Sequence, residues 1–274
     1  MPFIKRILVP TDFSEPAKNA LRYAGLLAKL TQAEVKVLHV FNVPVVDPYM
    51  PGDTLELLMQ EVKSASETRM QELLAEFPGL SGETLHGFVI DDITRYAEEW
   101  NADLIVIGTT GATGAAGAIF GSNASGVLSQ SPIKVLSIPA SYTEHKAPKR
   151  ICYASDFTGR EELPFQIFVD ISRAWNTQLA VLHVLSDEPV FTSEKAEDIY
   201  KRLAATAHFD QMSFDEISSN DVTAAIETYV QATNVDILGM AVHRRNLLER
   251  IFSKSKTRII AHHAKIPLLS IKKG

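Results

Sequence analysis

"RILVPTDF", residues 6–13, returns later in the chain as "RICYASDF", residues 150–157. From residue 6 to residue 150 the offset is 144, and Leu38-His39-Val40 returns at that same offset as Leu182-His183-Val184. Farther on, Asn101-Ala102-Asp103-Leu104 matches Asn234-Val235-Asp236-Ile237 at an offset of 133. That offset persists to Val135-Leu136-Ser137-Ile138 against Leu268-Leu269-Ser270-Ile271, so the second copy is 11 residues shorter between its second and fourth strands. A period this long exceeds those of solenoid repeats. A whole domain has been duplicated, residues 1–140 and 150–274, with a polar linker over 141–149.

Within the first copy, short apolar runs alternate with helical periodicity. Ile7-Leu8-Val9 reads as a buried parallel strand followed by a turn. Ser14 is an N-cap candidate with Glu15 and Pro16 behind it, and Ala17, Ala20, Leu21, Ala24, Leu27 and Ala28 then recur on one helical face. Further strands are expected at Val35–Val40, Glu83–Ile90, Leu104–Ile107 and Ile133–Ile138. Helices are expected at Asp53–Phe77, Asp91–Trp100 and Gly121–Gln130. In the long helix, Leu55, Leu57, Leu58, Val62, Met70, Leu73 and Leu74 are expected to pack on the sheet. Such β/α alternation predicts an α/β fold with two tandem Rossmann-like domains, each a five-stranded parallel sheet flanked by helices. Lys134–Ile138 and Pro267–Ile271 are the natural edge strands for pairing, either between the two halves as a pseudo-dimer or in a homodimer.

Composition narrows the function classes. The chain of 274 residues is 46% hydrophobic and 22% charged, with a formal net charge of -6. An acidic balance argues against a nucleic-acid partner. No apolar run reaches the length of a membrane helix and no secretory leader opens the chain, so a soluble cytoplasmic protein is expected. The one cysteine, Cys152, lies in an apolar strand and reads as a small buried hydrophobe. His262 and His263 are neighbours on a predicted helix and diverge by about 100°, a poor start for a metal site. No metal ligands are assigned.

Directly after Leu104–Ile107 comes "GTTGATGAAGAIFGS", residues 108–122, with five of the chain's 14 glycines. Open α/β sheets bind ligands beyond the carboxyl ends of their strands, where the strand order reverses. Glycine lets a ligand approach the backbone, and Gly121-Ser122 precede a helix whose free N–H groups and dipole favour an anion. Asp12, after the first strand, suits a ribose hydroxyl or a base amino group. These features point to a nucleotide with its phosphates at Gly121 and its nucleoside towards Asp12. Neither a Walker A sequence nor a GxGxxG fingerprint is present.

The spacing Gly108-x2-Gly111-x9-Gly121-Ser122, together with Pro10–Ser14 (PTDFS) and Leu38–Val40 (LHV), resembles the universal stress protein family. Its ATP-binding members carry G-x2-G-x9-G-[ST]. The resemblance spans nearly the whole chain and implies an adenine nucleotide α-hydrolase-like fold. It also implies a stress-response regulator that binds an adenine nucleotide, ATP or AMP, with Mg²⁺ as the accompanying ion. By that resemblance Pro10, Thr11 and Asp12 line the adenine and ribose end and the main chain at Val40 meets the adenine edge. Ile107, Gly108 and Gly111 approach the ribose and phosphates, while Gly121, Ser122 and Asn123 cradle the phosphates. Ala124 departs from members that carry a hydroxyl there. A lid is expected at Met50-Pro51-Gly52.

In the second copy Gly108 becomes Ala241, Gly111 becomes Arg244 and Gly121 becomes Lys254, while Ser122 keeps Ser255 and Asp12 keeps Asp156. Side chains there project where backbone approached phosphate, so nucleotide binding is expected in the first domain only. His243, Arg244, Arg245 and Lys254 leave two readings open, a solvated basic face or a cationic pocket for another anion. His39 and His183 read as hydrogen-bonded core histidines. Three function classes follow: a nucleotide-switched regulator with little or no turnover, a slow ATPase or other nucleotide-hydrolysing enzyme, and a nucleotide-free interaction module.

Overall fold

The computed structural model describes residues 4–43, 52–109, 121–157, 161–186, 195–242 and 265–272. Five strands form the first half: β1 (Arg6–Pro10), β2 (Glu34–Phe41), β3 (Ser81–His86), β4 (Leu104–Gly108) and β5 (Lys134–Ile138). Their counterparts are β6 (Arg150–Ser155), β7 (Gln178–Leu185), β8 (Met212–Ser218), β9 (Ile237–Val242) and β10 (Leu268–Lys272). The helices are α1 (Glu15–Thr31), α2 (Gly52–Glu76), α3 (Val89–Glu99) and α4 (Ser122–Gln130), then α5 (Glu162–Trp175), α6 (Ala196–Ala207) and α7 (Val222–Ala232). Among the described residues all ten strands join one sheet, in the order β3-β2-β1-β4-β5-β10-β9-β6-β7-β8. Pairing within each half is parallel, and the strand order reverses beside β1 in the first half and beside β6 in the second.

The two halves meet at β5 and β10, which pair antiparallel with Leu136 opposite Leu269. The seam has pseudo-two-fold symmetry. Ser137 Oγ donates to the Leu268 carbonyl at 3.2 Å, and Ser270 Oγ donates to the Val135 carbonyl at 3.4 Å. One apolar cluster runs through both halves, taking in Leu21, Leu27 and Leu136 of the first and Phe165, Ile171 and Leu269 of the second. The opposite faces carry separate clusters, one around Ile105 and Val127 and one around Leu182 and Leu238.

The repeated Asn-x-Asp motif has a structural cause. Asn101 and Asn234 take positive φ, 54° and 52°, which turns the chain from helix into strand. Two residues on, Asp103 Oδ2 accepts the Lys5 and Arg6 N–H groups at 2.7 and 3.0 Å. Asp236 Oδ2 does the same for Lys149 and Arg150 at 2.8 and 3.0 Å. These carboxylates tie the start of each central strand to the start of its neighbour.

Two expectations need correction. The third strand ends at His86 and α3 begins at Val89, because Asp92 accepts the Phe88 N–H at 2.7 Å and turns the chain early. In α2 only Ser66, Met70 and Leu73 are buried, while Leu57 is 67% exposed and Leu55, Leu58 and Val62 are half-buried. Its 25 residues span about 37 Å, whereas a six-residue strand spans about 20 Å. Among the described residues its first half therefore has no strand beneath it. The matching α6 has 12 residues, which is where the second copy loses its length.

The linker is docked. Asn19, 7% exposed on α1, donates from Nδ2 to the carbonyls of Pro139 and Tyr142 at 3.2 and 2.8 Å. With its nitrogen so used, Asn19 Oδ1 is the acceptor for His145 Nε2 at 2.8 Å. Tyr142 packs edge-on against Tyr23 of α1. Asn19→Ala is expected to cost about 2–3 kcal/mol, because buried carbonyls lose their donor. Urea denaturation checks this, and a loss under about 0.5 kcal/mol would show that the linker is not held through Asn19.

Candidate functional site

The crevice of the first domain lies beyond the carboxyl ends of β1 and β4, at the reversal of strand order. Pro10 closes β1 and is buried. The next residue, Thr11, donates its N–H to the Leu38 carbonyl at 2.9 Å and accepts Nδ1–H of His39 on its own carbonyl at 2.7 Å. Asp12 Oδ1 accepts both the Ser14 N–H, at 3.0 Å, and the Ser14 hydroxyl. Ser14 in turn caps α1 by accepting the Ala17 N–H. The carboxylate expected to face a ribose thus also builds the turn into α1.

Val40, Ile107 and Ala124 share one apolar cluster under the crevice, so β2, β4 and α4 converge there. Ala124 is buried in that cluster, whereas Ser122 and Asn123 are exposed at the start of α4. Gly121 N–H donates to the Thr109 carbonyl at 2.6 Å, which brings the two ends of the glycine stretch together. The first intrahelical bond of α4 comes from Ser125 N–H to the Gly121 carbonyl at 3.0 Å. The preceding N–H groups, of Ser122, Asn123 and Ala124, therefore have no partner within the helix. Gly121 supplies no side-chain cap, unlike Ser14 of α1 and Asp221 of α7. An N-terminus built this way fits an anionic group, which backbone donors and the helix dipole hold together.

Gly111 and Met50-Pro51 lie outside the described residues, and Gly52 opens α2. His243, Arg244, Arg245, Lys254, Ser255, His262 and His263 also lie outside them.

Gly108 has a reason the spacing did not reveal. A Cβ on it would sit 2.7 Å from the Pro16 carbonyl oxygen and 3.2 Å from the Ala17 nitrogen. The first turn of α1 packs onto the end of β4 at this point. In the second copy the equivalent Ala241 is buried with its Cβ present, and α5 runs from Glu162. Residues 158–160, which correspond to 14–16, lie outside the described residues.

Glu161 stands where the first copy has Ala17, is 2% exposed, and accepts from the Tyr153 and Ser155 hydroxyls at 2.7 and 2.8 Å. Burial, with Glu161 beside it, pushes the Tyr153 phenol well above its ordinary range. Sequence reasoning passed over Glu161, although a glutamate replacing alanine at an inward position of the repeat was the available signal. Cys152 is buried, which pushes its thiol up to about 12 and leaves it unreactive.

His39 is held below its ordinary value, chiefly by burial and also by Arg69, against the opposing pull of the Thr11 carbonyl and Asp12. Its neutral form is favoured in the folded state. Its contribution to stability is complete above the unfolded-state value and is lost as the pH falls through that value towards the folded one. No group of three or more His, Cys, Asp or Glu side chains among the described residues is placed to hold a metal ion, and no described helix is long and apolar enough to cross a membrane.

The universal stress protein family model matches residues 4–139 and 148–272. A universal stress protein of Methanocaldococcus jannaschii is 32% identical over 138 residues, covering 49% of this chain and 81% of its own length. Among solved structures, a universal stress protein from Archaeoglobus fulgidus has a TM-score of 0.69 at 19% identity, with coverage of 99% of this chain and 98% of that one. This likeness extends to the tandem arrangement of the fold. A universal stress protein solved in complex with cAMP is 23% identical, covers 50% of this chain and 98% of its own, and has a TM-score of 0.33.

Gly108→Ala is expected to destabilise the protein by about 1–3 kcal/mol through the clash with Pro16. Gly25→Ala, on α1 with open space around it, should stabilise by about 0.5–1 kcal/mol. Urea denaturation of the pair checks both signs, and a neutral Gly108→Ala would remove the close approach from the account of the fold. Lowering the pH from 7 to 5 is expected to destabilise the wild type more than His39→Asn, and equal pH profiles would contradict the burial effect at His39.

Proposed function

The chain belongs to the universal stress protein family, and from that premise we propose that its first domain binds an adenine nucleotide whose occupancy regulates a stress response. The observation that carries this reading is the uncapped N-terminus of α4, set beside the Thr11–Asp12 loop at the reversal of strand order. Phosphate oxygens accept from the Ser122, Asn123 and Ala124 N–H groups and from the Ser122 hydroxyl. Asp12 takes the ribose or base end, over the apolar floor of Val40 and Ile107. Occupancy shifts contacts with a protein partner by ordering the surroundings of this crevice.

The second domain serves as a structural or regulatory half. Ala241 replaces Gly108 there, and Arg244 and Lys254 replace Gly111 and Gly121, so the backbone approach to phosphate is lost. With β5 and β10 paired to each other, the chain supplies its own pseudo-dimer.

ATP with Mg²⁺ at 100-fold excess over Kd is expected to stabilise the protein by about 2.7 kcal/mol, seen as a rise in Tm. AMP and cAMP, tested in parallel, rank the phosphate pattern. Gly121→Asp should keep the apo fold, because Asp is a good N-cap, and should weaken ATP binding at least about tenfold by placing a carboxylate at the anion's position. The reading fails if no adenine nucleotide shifts Tm, or if Gly121→Asp binds ATP as tightly as the wild type.

A further inference from the structure

Asp12 is flanked by two residues, and one side chain holds both of them. His39 Nδ1 lies 2.7 Å from the Thr11 carbonyl oxygen, and its ring lies 4.4 Å from the Phe13 ring. A carbonyl only accepts, so Nδ1 carries the proton. Thr11 is buried, its N–H is already taken by the Leu38 carbonyl, and its Oγ1 accepts the Phe13 N–H at 2.9 Å. Phe13 has φ of 65°, a left-handed conformation that a bulky residue keeps only where its surroundings over-determine it. The Arg69 guanidinium of α2 also lies over the Phe13 ring, 4.7 Å from its centre.

We infer that His39 is a positioning residue for the nucleotide crevice: through the Thr11 carbonyl and the Phe13 ring it fixes the loop that presents Asp12. This inference rests on the nucleotide reading of the first domain and goes beyond it, since His39 itself belongs to no predicted contact with the ligand. The duplicated chain contains its own comparison. His183 makes the same contact to the Ser155 carbonyl at 3.1 Å, and Phe157 repeats the positive φ at 49°. In that half the glycines are gone, so the clamp shapes the fold without shaping a nucleotide site. Replacing either histidine should disturb its own half to a similar degree, but only His39 should move nucleotide affinity.

Three variants of the full chain separate positioning from general stability. His39→Leu removes the donor; His39→Asn places an amide nitrogen where Nδ1 stood; His183→Leu makes the equivalent loss in the second half. Titration with ATP and Mg²⁺ is expected to show affinity reduced about fivefold or more in His39→Leu, the worth of one hydrogen bond. His39→Asn should recover most of that loss, and His183→Leu should bind like the wild type. Amide exchange without nucleotide should quicken at Phe13 and Ser14 in His39→Leu and return towards wild-type rates in His39→Asn.

Affinity in His39→Leu within twofold of wild type overturns the inference. So does an equal loss in His183→Leu, which would mark a general effect of instability. If the wild type takes no ATP, the nucleotide reading falls instead. Amide exchange then judges the clamp alone, and unchanged rates at Phe13 and Ser14 in His39→Leu would overturn it.

Discussion

The absence of one Cβ, at Gly108, lets the first turn of α1 lie against the end of β4. Much of the first-domain crevice depends on that contact. It brings the Ser14 cap and the Asp12 turn to the mouth of β4, where the glycine stretch begins and where Gly121 closes back on Thr109. In the second half a methyl group at Ala241 occupies the corresponding position. There a buried carboxylate, Glu161, stands at the position of Ala17 and accepts from the Tyr153 and Ser155 hydroxyls. A small change at the end of one strand thus accompanies a carboxylate in place of a methyl group on the facing helix, a coupling expected where interiors are close-packed.

The halves could diverge in this way because they remain joined elsewhere. The β5–β10 seam makes one sheet of two, and the cluster around Leu136 and Leu269 crosses it without interruption. Asn19 adds a second tie by seating the linker on α1. Neither tie involves the carboxyl ends of β6 and β9, so the second crevice could lose its glycines while the seam kept its pairing. Leu163, at the position of Asn19 in the second copy, is exposed and shows how specific the linker contact is to the first half.

The duplicated β/α alternation was legible because its signals are local. Buried parallel strands are continuous apolar runs, and the Asn-x-Asp motif repeats with its left-handed Asn and its carboxylate intact. The edge pairing was legible for the same reason, since Val135–Ile138 and Leu268–Ile271 are copies of one strand. Of the candidate site, Asp12, Gly108 and Gly121 were legible in the motifs, whereas Val40 and Ile107 came from the family resemblance; Val40 and Ile107 lie with Ala124 in one cluster. The second roles of Gly108 and Asp12, in packing α1 and turning into it, depend on contacts between segments about 90 residues apart and within a single turn respectively. Spacing alone carries neither. The overhang of α2 was misread because its apolar stripe continues past the end of the sheet that would have covered it.

Binding stoichiometry bears most directly on a chain in which one copy keeps the glycine motif and the other does not. Isothermal titration of the chain with ATP and Mg²⁺ should give one nucleotide per chain, with affinity at least about tenfold weaker in Gly121→Asp. Two nucleotides per chain, or one bound as tightly in Gly121→Asp as in the wild type, would contradict the assignment of the site to the first domain.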